Sequence, residues 1–252
     1  MPFVLYEKRN HVACITLNRP ERLNALGSEL SQQLWEAESK FAEDDDAWVV
    51  IYTGVGRAFS AGRDLKEVTE KGIRDGSTVL DSRRPAITHN KPTIAAVNGL
   101  AYGGGFERAL ACDIRICSDD ARFALAEVKV GLCPPTAMFT LPRLVGLSNS
   151  MWLLLSGEPI DAKEAYRIGL VTRVVPSADL LPTATKMAET ICENAPLAIR
   201  ATKQLTTLGL EVPMDYARRL GQGLINSVWS SEDANEGALA FVEKRKPVWK
   251  MR

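Results

Sequence analysis

The sequence predicts an α/β fold that gives way to a helical C-terminal region. Three observations carry this. Short apolar runs rich in β-branched residues alternate with helix-period segments through about residue 176. A glycine triplet, Gly103-Gly104-Gly105, stands between one such run, Thr93 to Val97, and a helical segment. From Ser177 onward only helical patterns remain, and the change suggests two regions, 1–195 and 196–252.

In order, Phe3 to Glu7 and Val12 to Leu17 read as two strands, the second ended by Asn18-Arg19-Pro20, because proline cannot donate to a ladder. A helix is expected from about Ser28, with Leu30, Leu34, Ala37 and Phe41 on one face, and Trp48 to Thr53 reads as a strand. Gly54 to Asp64 is a loop leading into Leu65-Lys66-Glu67-Val68. Residues 69 to 90 are polar and without period. Phe106, Ala109, Leu110 and Cys112 read as the buried side of a helix, Asp113 to Cys117 and Phe123 to Ala126 as strands. Ser148 to Ser156 is a strongly apolar helix, Asp161 opens another that Gly169 ends, and Leu170 to Val175 reads as a strand. Leu180, Leu181, Ala184, Met187, Ala188, Ile191 and Cys192 share one helical face; Tyr216, Leu220, Leu224 and Val228 share another.

Composition limits the functions. The 252 residues are 46% hydrophobic and 25% charged, with 31 basic and 31 acidic side chains. That describes an ordinary globular protein and gives no support for nucleic acid or an anionic membrane as partner. No apolar run reaches membrane-spanning length and no targeting pattern is visible, so the expectation is cytoplasmic; a form cut from a longer precursor would read the same way. The five cysteines show no metal spacing or disulfide framework and read as reduced core thiols. His11 and His89 have no nucleophile or metal partner nearby and read as structural.

The chemistry concentrates between Asn98 and Glu127. Glycines between a strand and a helix let a ligand approach the backbone, where the first helical N–H groups lack internal partners. Such a turn suits an anion, or an oxygen that becomes one during reaction. The phosphate motifs G-x-x-x-x-G-K-[ST] and G-x-G-x-x-G do not fit. Glu107 follows the triplet by one turn, and Glu127 comes 20 residues later.

Several ordered motifs together resemble the enoyl-CoA hydratase (crotonase) family. They are Asn18-Arg19-Pro20 with Leu23-Asn24-Ala25-Leu26, Ala58 to Lys66, Lys91 to Gly99, the triplet with Glu107, Ala111-Cys112-Asp113 and Phe241 to Arg245. The resemblance covers nearly the whole chain. It implies a crotonase-like spiral of repeated β-β-α units with a C-terminal helical oligomerisation region, assembled as a homotrimer or dimer of trimers. It implies an oxyanion hole from the backbone N–H groups of Arg63 and Gly104, with Glu107 and Glu127 as catalytic acids and bases. It implies coenzyme A binding at Arg22, Leu23, Ala25, Ala61, Asp64, Leu65 and Lys66, with Phe241 and Lys244 reaching a neighbour's site. Residues 69 to 90 would cover the acyl pocket. No metal and no cofactor is implied beyond the coenzyme A of an acyl-CoA substrate.

The expected reaction is hydration of a 2-enoyl-CoA thioester, or its reverse. Alternatives are an enoyl-CoA isomerase, another acyl-CoA-processing member of the family, or a non-catalytic CoA-binding scaffold. The sequence departs from the family at Cys133 to Phe139, where Pro135, Met138 and Phe139 stand in a stretch usually rich in glycine. Arg19 and Arg22 also read as solvated turn residues, and Arg108 is expected to face away from the site.

Overall fold

The computed structural model describes residues 1–71 and 90–252. His89 and most of the expected acyl-pocket segment lie outside the described residues. Strands β1 (Val4–Arg9) and β2 (Val12–Leu17) form an antiparallel hairpin. Helix α1 (Ser28–Glu43) follows and buries Leu30, Leu34, Ala37 and Phe41, the face its period predicts.

The chain then winds through a repeated unit. β3 (Val49–Gly54), β4 (Ala58–Ser60) and α2 (Leu65–Lys71) make the first turn. The second contains β5 (Thr93–Val97), β6 (Leu100–Tyr102) and α3 (Gly104–Leu110). The third contains β7 (Ile114–Ser118), β8 (Arg122–Ala124), a 3-10 turn at Ala126–Val130, and helices α4 (Ala137–Val145) and α5 (Leu147–Ser156). Each turn gives one strand to a large sheet and one to a small sheet. The small sheet runs β4-β6-β8-β9, with β9 (Ile160–Asp161) antiparallel to β8. Helix α6 (Ala162–Arg167) leads to β10 (Arg173–Val175), which completes the large sheet β1-β2-β3-β5-β7-β10. Successive turns stack in register, so Ile51 meets Ile94 and Ile94 meets Ile114. This is the expected spiral.

Both faces of the large sheet are covered, which is why its strands read as continuous apolar runs. On one face Val50, Tyr52, Ala95 and Val97 pack toward α1 and the small sheet. On the other, Val49, Ile51, Ile94 and Ala96 pack against Leu180, Ala184 and Ala188 of α7 (Leu180–Cys192). Helices α8 (Pro196–Glu211), α9 (Met214–Trp229) and α10 (Glu232–Glu243) follow. No helix among the described residues is long and apolar enough to cross a membrane.

The structure corrects several expectations. The strand expected over Leu170 to Val175 is confined to Arg173–Val175, because Leu170 and Val171 turn back to bond the Ala165 carbonyl. Leu181 is exposed, as are Tyr216 and Leu220 of α9; Ala217 and Gly221 form the covered side of that helix. Cys133 lies at the surface, unlike Cys112 and Cys117, whose thiols burial pushes up to about 12. His11 stacks on Trp48 with ring centroids 3.7 Å apart.

Helix α3 sits hard against β4. A methyl group on Gly105 would overlap the Ser60 carbonyl oxygen and stand 2.7 Å from Ser60 Cβ. Gly105→Ala should therefore cost about 1–3 kcal/mol of stability, the usual range for overpacking. A urea denaturation midpoint equal to that of the unsubstituted protein would show that α3 packs more loosely than this.

Candidate active site

The site begins where β4 ends. The loop after Ser60 is zipped to the turn at 22–26 by backbone bonds: Ala61 N–H to Leu23 O at 2.9 Å, Leu26 N–H to Gly62 O at 2.7 Å, and Asp64 N–H to Leu26 O at 3.2 Å. Asn24 is fully buried and fixes this turn, donating to Ala58 O at 2.7 Å and Val55 O at 3.0 Å. Arg22, Leu23, Ala25, Ala61, Asp64, Leu65 and Lys66 are thus brought to one edge of the molecule. Arg22, Leu65 and Lys66 are exposed there, while Ala25 is buried. Arg19 is not a solvated residue: it donates to Asp64 at 2.9 Å, with both side chains largely covered. Asp64 also accepts from the N–H groups of Lys66 and Glu67 at the start of α2. Its carboxylate braces the loop.

Gly62 and Gly103 occupy backbone conformations with φ of +84° and +51°, which side chains with a Cβ rarely adopt. They allow two chain segments to meet. A methyl group on Gly62 would stand 3.0 Å from Gly104 N, and one on Gly104 would stand 3.9 Å from Arg63 N. The Arg63 and Gly104 N–H groups therefore lie side by side. Among the described residues neither donates to a protein acceptor: the bridge between Leu26 and Arg63 is made by Leu26 N–H to Gly62 O and Asp64 N–H to Leu26 O, and Gly104 opens α3. Two neighbouring donors without acceptors are suited to an oxygen supplied from outside.

Glu107 and Glu127 border these donors in different environments. Glu107 lies in the first turn of α3, yet its carboxylate serves another helix. Its Oε1 accepts from Thr136 N–H and Ala137 N–H, both at 2.8 Å, where α4 begins. First-turn N–H groups have no partner within their own helix, and Glu107 supplies one. Glu127 lies just past β8, in the 3-10 turn, with Oε1 3.1 Å from where a methyl group on Gly103 would be. Its Oε2 is buried and without a hydrogen-bond partner among the described residues. Burial raises the Glu127 pKa above the ordinary carboxylate value; a backbone hydrogen bond opposes this, and the nearby Glu107 charge adds to it. Neither Lys129 nor Arg122 pairs with Glu127: Lys129 bonds Glu158 at 2.6 Å, and Arg122 bonds the Ala121 carbonyl.

Arg108 turns away from this site, as expected, and pairs with Glu38 of α1, beside Tyr52. Phe241 and Lys244 are exposed at the end of α10, which packs on α9. The sequence reading missed the Thr136 and Ala137 amides. The one available signal was a helix opening directly after Pro134-Pro135, in the stretch that departs from the family pattern.

Comparison with known proteins agrees with this architecture. The family model described as enoyl-CoA hydratase/isomerase matches residues 7–252. The chain is 41% identical to (E)-benzylidenesuccinyl-CoA hydratase of Thauera aromatica, covering 99% of each. It is 39% identical to short-chain-enoyl-CoA hydratase of Clostridium acetobutylicum, over 96% of this chain and 95% of that one. The crystal structure of enoyl-CoA hydratase from Bacillus anthracis superposes with a TM-score of 0.94 at 35% identity, covering 99% of this chain and 100% of that chain. With its motifs, its spiral of two stacked sheets and these relatives in agreement over nearly its full length, the chain belongs to the enoyl-CoA hydratase/isomerase family.

Proposed function

We propose that this protein is a hydro-lyase that adds water across the double bond of a 2-enoyl-CoA thioester, or removes it in the reverse direction. The observation that carries the proposal is the pair of amides at Arg63 and Gly104, without acceptors among the described residues, beside two carboxylates in unlike environments. As water attacks the β-carbon, charge develops on the thioester oxygen, and the two N–H groups stabilise it there. Glu107, oriented by the α4 amides, takes the proton of the attacking water. Glu127, whose burial favours its protonated form, delivers a proton to the α-carbon. Proton removal and delivery balance, and the reverse reaction exchanges the roles. The exposed edge around Arg22, Ala61 and Lys66 receives the coenzyme A portion. Relatives named as hydratases at about 40% identity support the same reaction.

Hydration of crotonyl-CoA, followed by loss of conjugated absorbance, tests the proposal. Glu107→Gln and Glu127→Gln should each lower kcat by about 10²–10⁴-fold, the usual contribution of a positioned acid or base. Full activity in both variants would contradict it. Stability should change in a defined direction too. A raised folded pKa means that Glu127 contributes stability fully below the ordinary value of 4.5, and that this is lost as pH rises through the folded value. Glu127→Gln should therefore melt at a higher temperature than the unsubstituted protein near neutral pH. The gap should close as pH falls below 4.5. A lower melting temperature at neutral pH would contradict the burial argument.

Assembly belongs to the same proposal. Leu220 of α9 and Phe241 and Val242 of α10 are 52%, 85% and 77% exposed. We read these faces as subunit contacts in a trimer or a pair of trimers, placing Phe241 and Lys244 near a neighbour's coenzyme A. Light scattering at micromolar concentration should give a trimer mass or a multiple of it; a stable, active monomer would rule this out.

A further inference from the structure

The Arg63 side chain is left over when the site is accounted for. Its backbone N–H is one of the two acceptor-free donors, a role any residue type could fill except proline. Its guanidinium is a separate matter. Nη2 is buried and has no hydrogen-bond partner among the described residues. An arginine stays charged at any physiological pH, and a charged donor taken from water without an acceptor is costly. The acids nearest in sequence are already committed. Asp64 holds Arg19 and the start of α2, and Glu67 holds Ser28. Arg63 is not among the described influences on Glu127, which are burial, a backbone hydrogen bond and Glu107.

We infer that Arg63 is a specificity residue that binds a second carboxylate on the acyl group, so that the preferred substrates are thioesters of dicarboxylic acids. The inference rests on the acyl-CoA reading of the site and narrows it. Position argues for the acyl group rather than for a phosphate of coenzyme A. The guanidinium is tethered to the residue whose N–H meets the thioester oxygen, so it stays within one side-chain length of that oxygen. The phosphates lie the whole length of the pantetheine arm away. A carboxylate a few bonds beyond the thioester, as in a four- or five-carbon dicarboxylic acyl chain, falls within that reach. The planar guanidinium can engage it through two parallel N–H donors.

The test is calorimetric and uses saturated thioesters, which bind without reacting. Succinyl-CoA and butyryl-CoA have acyl chains of the same length and differ in the terminal carboxylate. Glutaryl-CoA and pentanoyl-CoA repeat the comparison one carbon longer. The unsubstituted protein should prefer the carboxylated member of at least one pair by roughly 10–100-fold, as expected for a charge-assisted bond. Arg63→Gln should bring that ratio close to one, and Arg63→Lys should keep part of it. If both members of each pair bind with a ratio near one in the unsubstituted protein, or Arg63→Gln leaves a preference intact, the inference about Arg63 fails while the acyl-CoA reading stands. If none of the thioesters binds, the acyl-CoA reading itself fails and this inference with it.

Discussion

Two backbone N–H groups without acceptors among the described residues, at Arg63 and Gly104, are the constraint on which the rest of the site depends. Backbone donors are normally paired, and leaving two adjacent ones open requires that the surrounding chain be fixed by other means. Here the neighbouring amides do the fixing. Ala61, Leu26 and Asp64 zip the loop to the turn at 22–26, and Asn24 and the Arg19–Asp64 pair hold that turn from behind. On the other side, Gly103 N–H bonds the Ala124 carbonyl and positions the start of α3. The parallel pairing of β4, β6 and β8 then places the Gly62 loop, the Gly103 turn and Glu127 at the same end of one small sheet.

The two carboxylates show how similar side chains acquire different properties from their surroundings. Glu107 accepts from two amides at the opening of a neighbouring helix, which hold its carboxylate in one orientation. Glu127 has a buried oxygen with no hydrogen-bond partner among the described residues, and burial favours its protonated form. In the proposed reaction that asymmetry divides one proton removal from one proton delivery. It also sets function against stability, since an unpaired buried acid is a cost to the folded state that the chemistry makes use of.

Much of the fold was legible because it rests on local periodicity. The buried face of α1, that of α7 apart from Leu181, and the strands with both faces covered were marked by spacing alone. What was hidden depends on distant parts of the chain. Arg19 reads as a turn residue until Asp64, 45 positions away, is folded against it. The amides that hold Glu107 lie 29 and 30 positions along, and no side-chain pattern encodes a backbone contact of that span. β6 is only three residues long and runs directly into the glycine triplet, too short to show an alternation. For α9, periodicity found an apolar face without saying what covers it, so Tyr216 and Leu220 are exposed on the single chain. The glycine triplet and both glutamates were visible in sequence, but the different surroundings of the two acids were not.

The central claim is that the Arg63 and Gly104 amides polarise a thioester carbonyl. Raman or isotope-edited infrared spectra of a bound conjugated enoyl-CoA measure this directly, in Glu107→Gln protein so that the ligand persists. The account predicts that the thioester carbonyl stretch shifts to lower wavenumber on binding, as two donors weaken the C=O bond. A carbonyl stretch unchanged from that of the free thioester, in protein shown by calorimetry to be saturated with ligand, would contradict it.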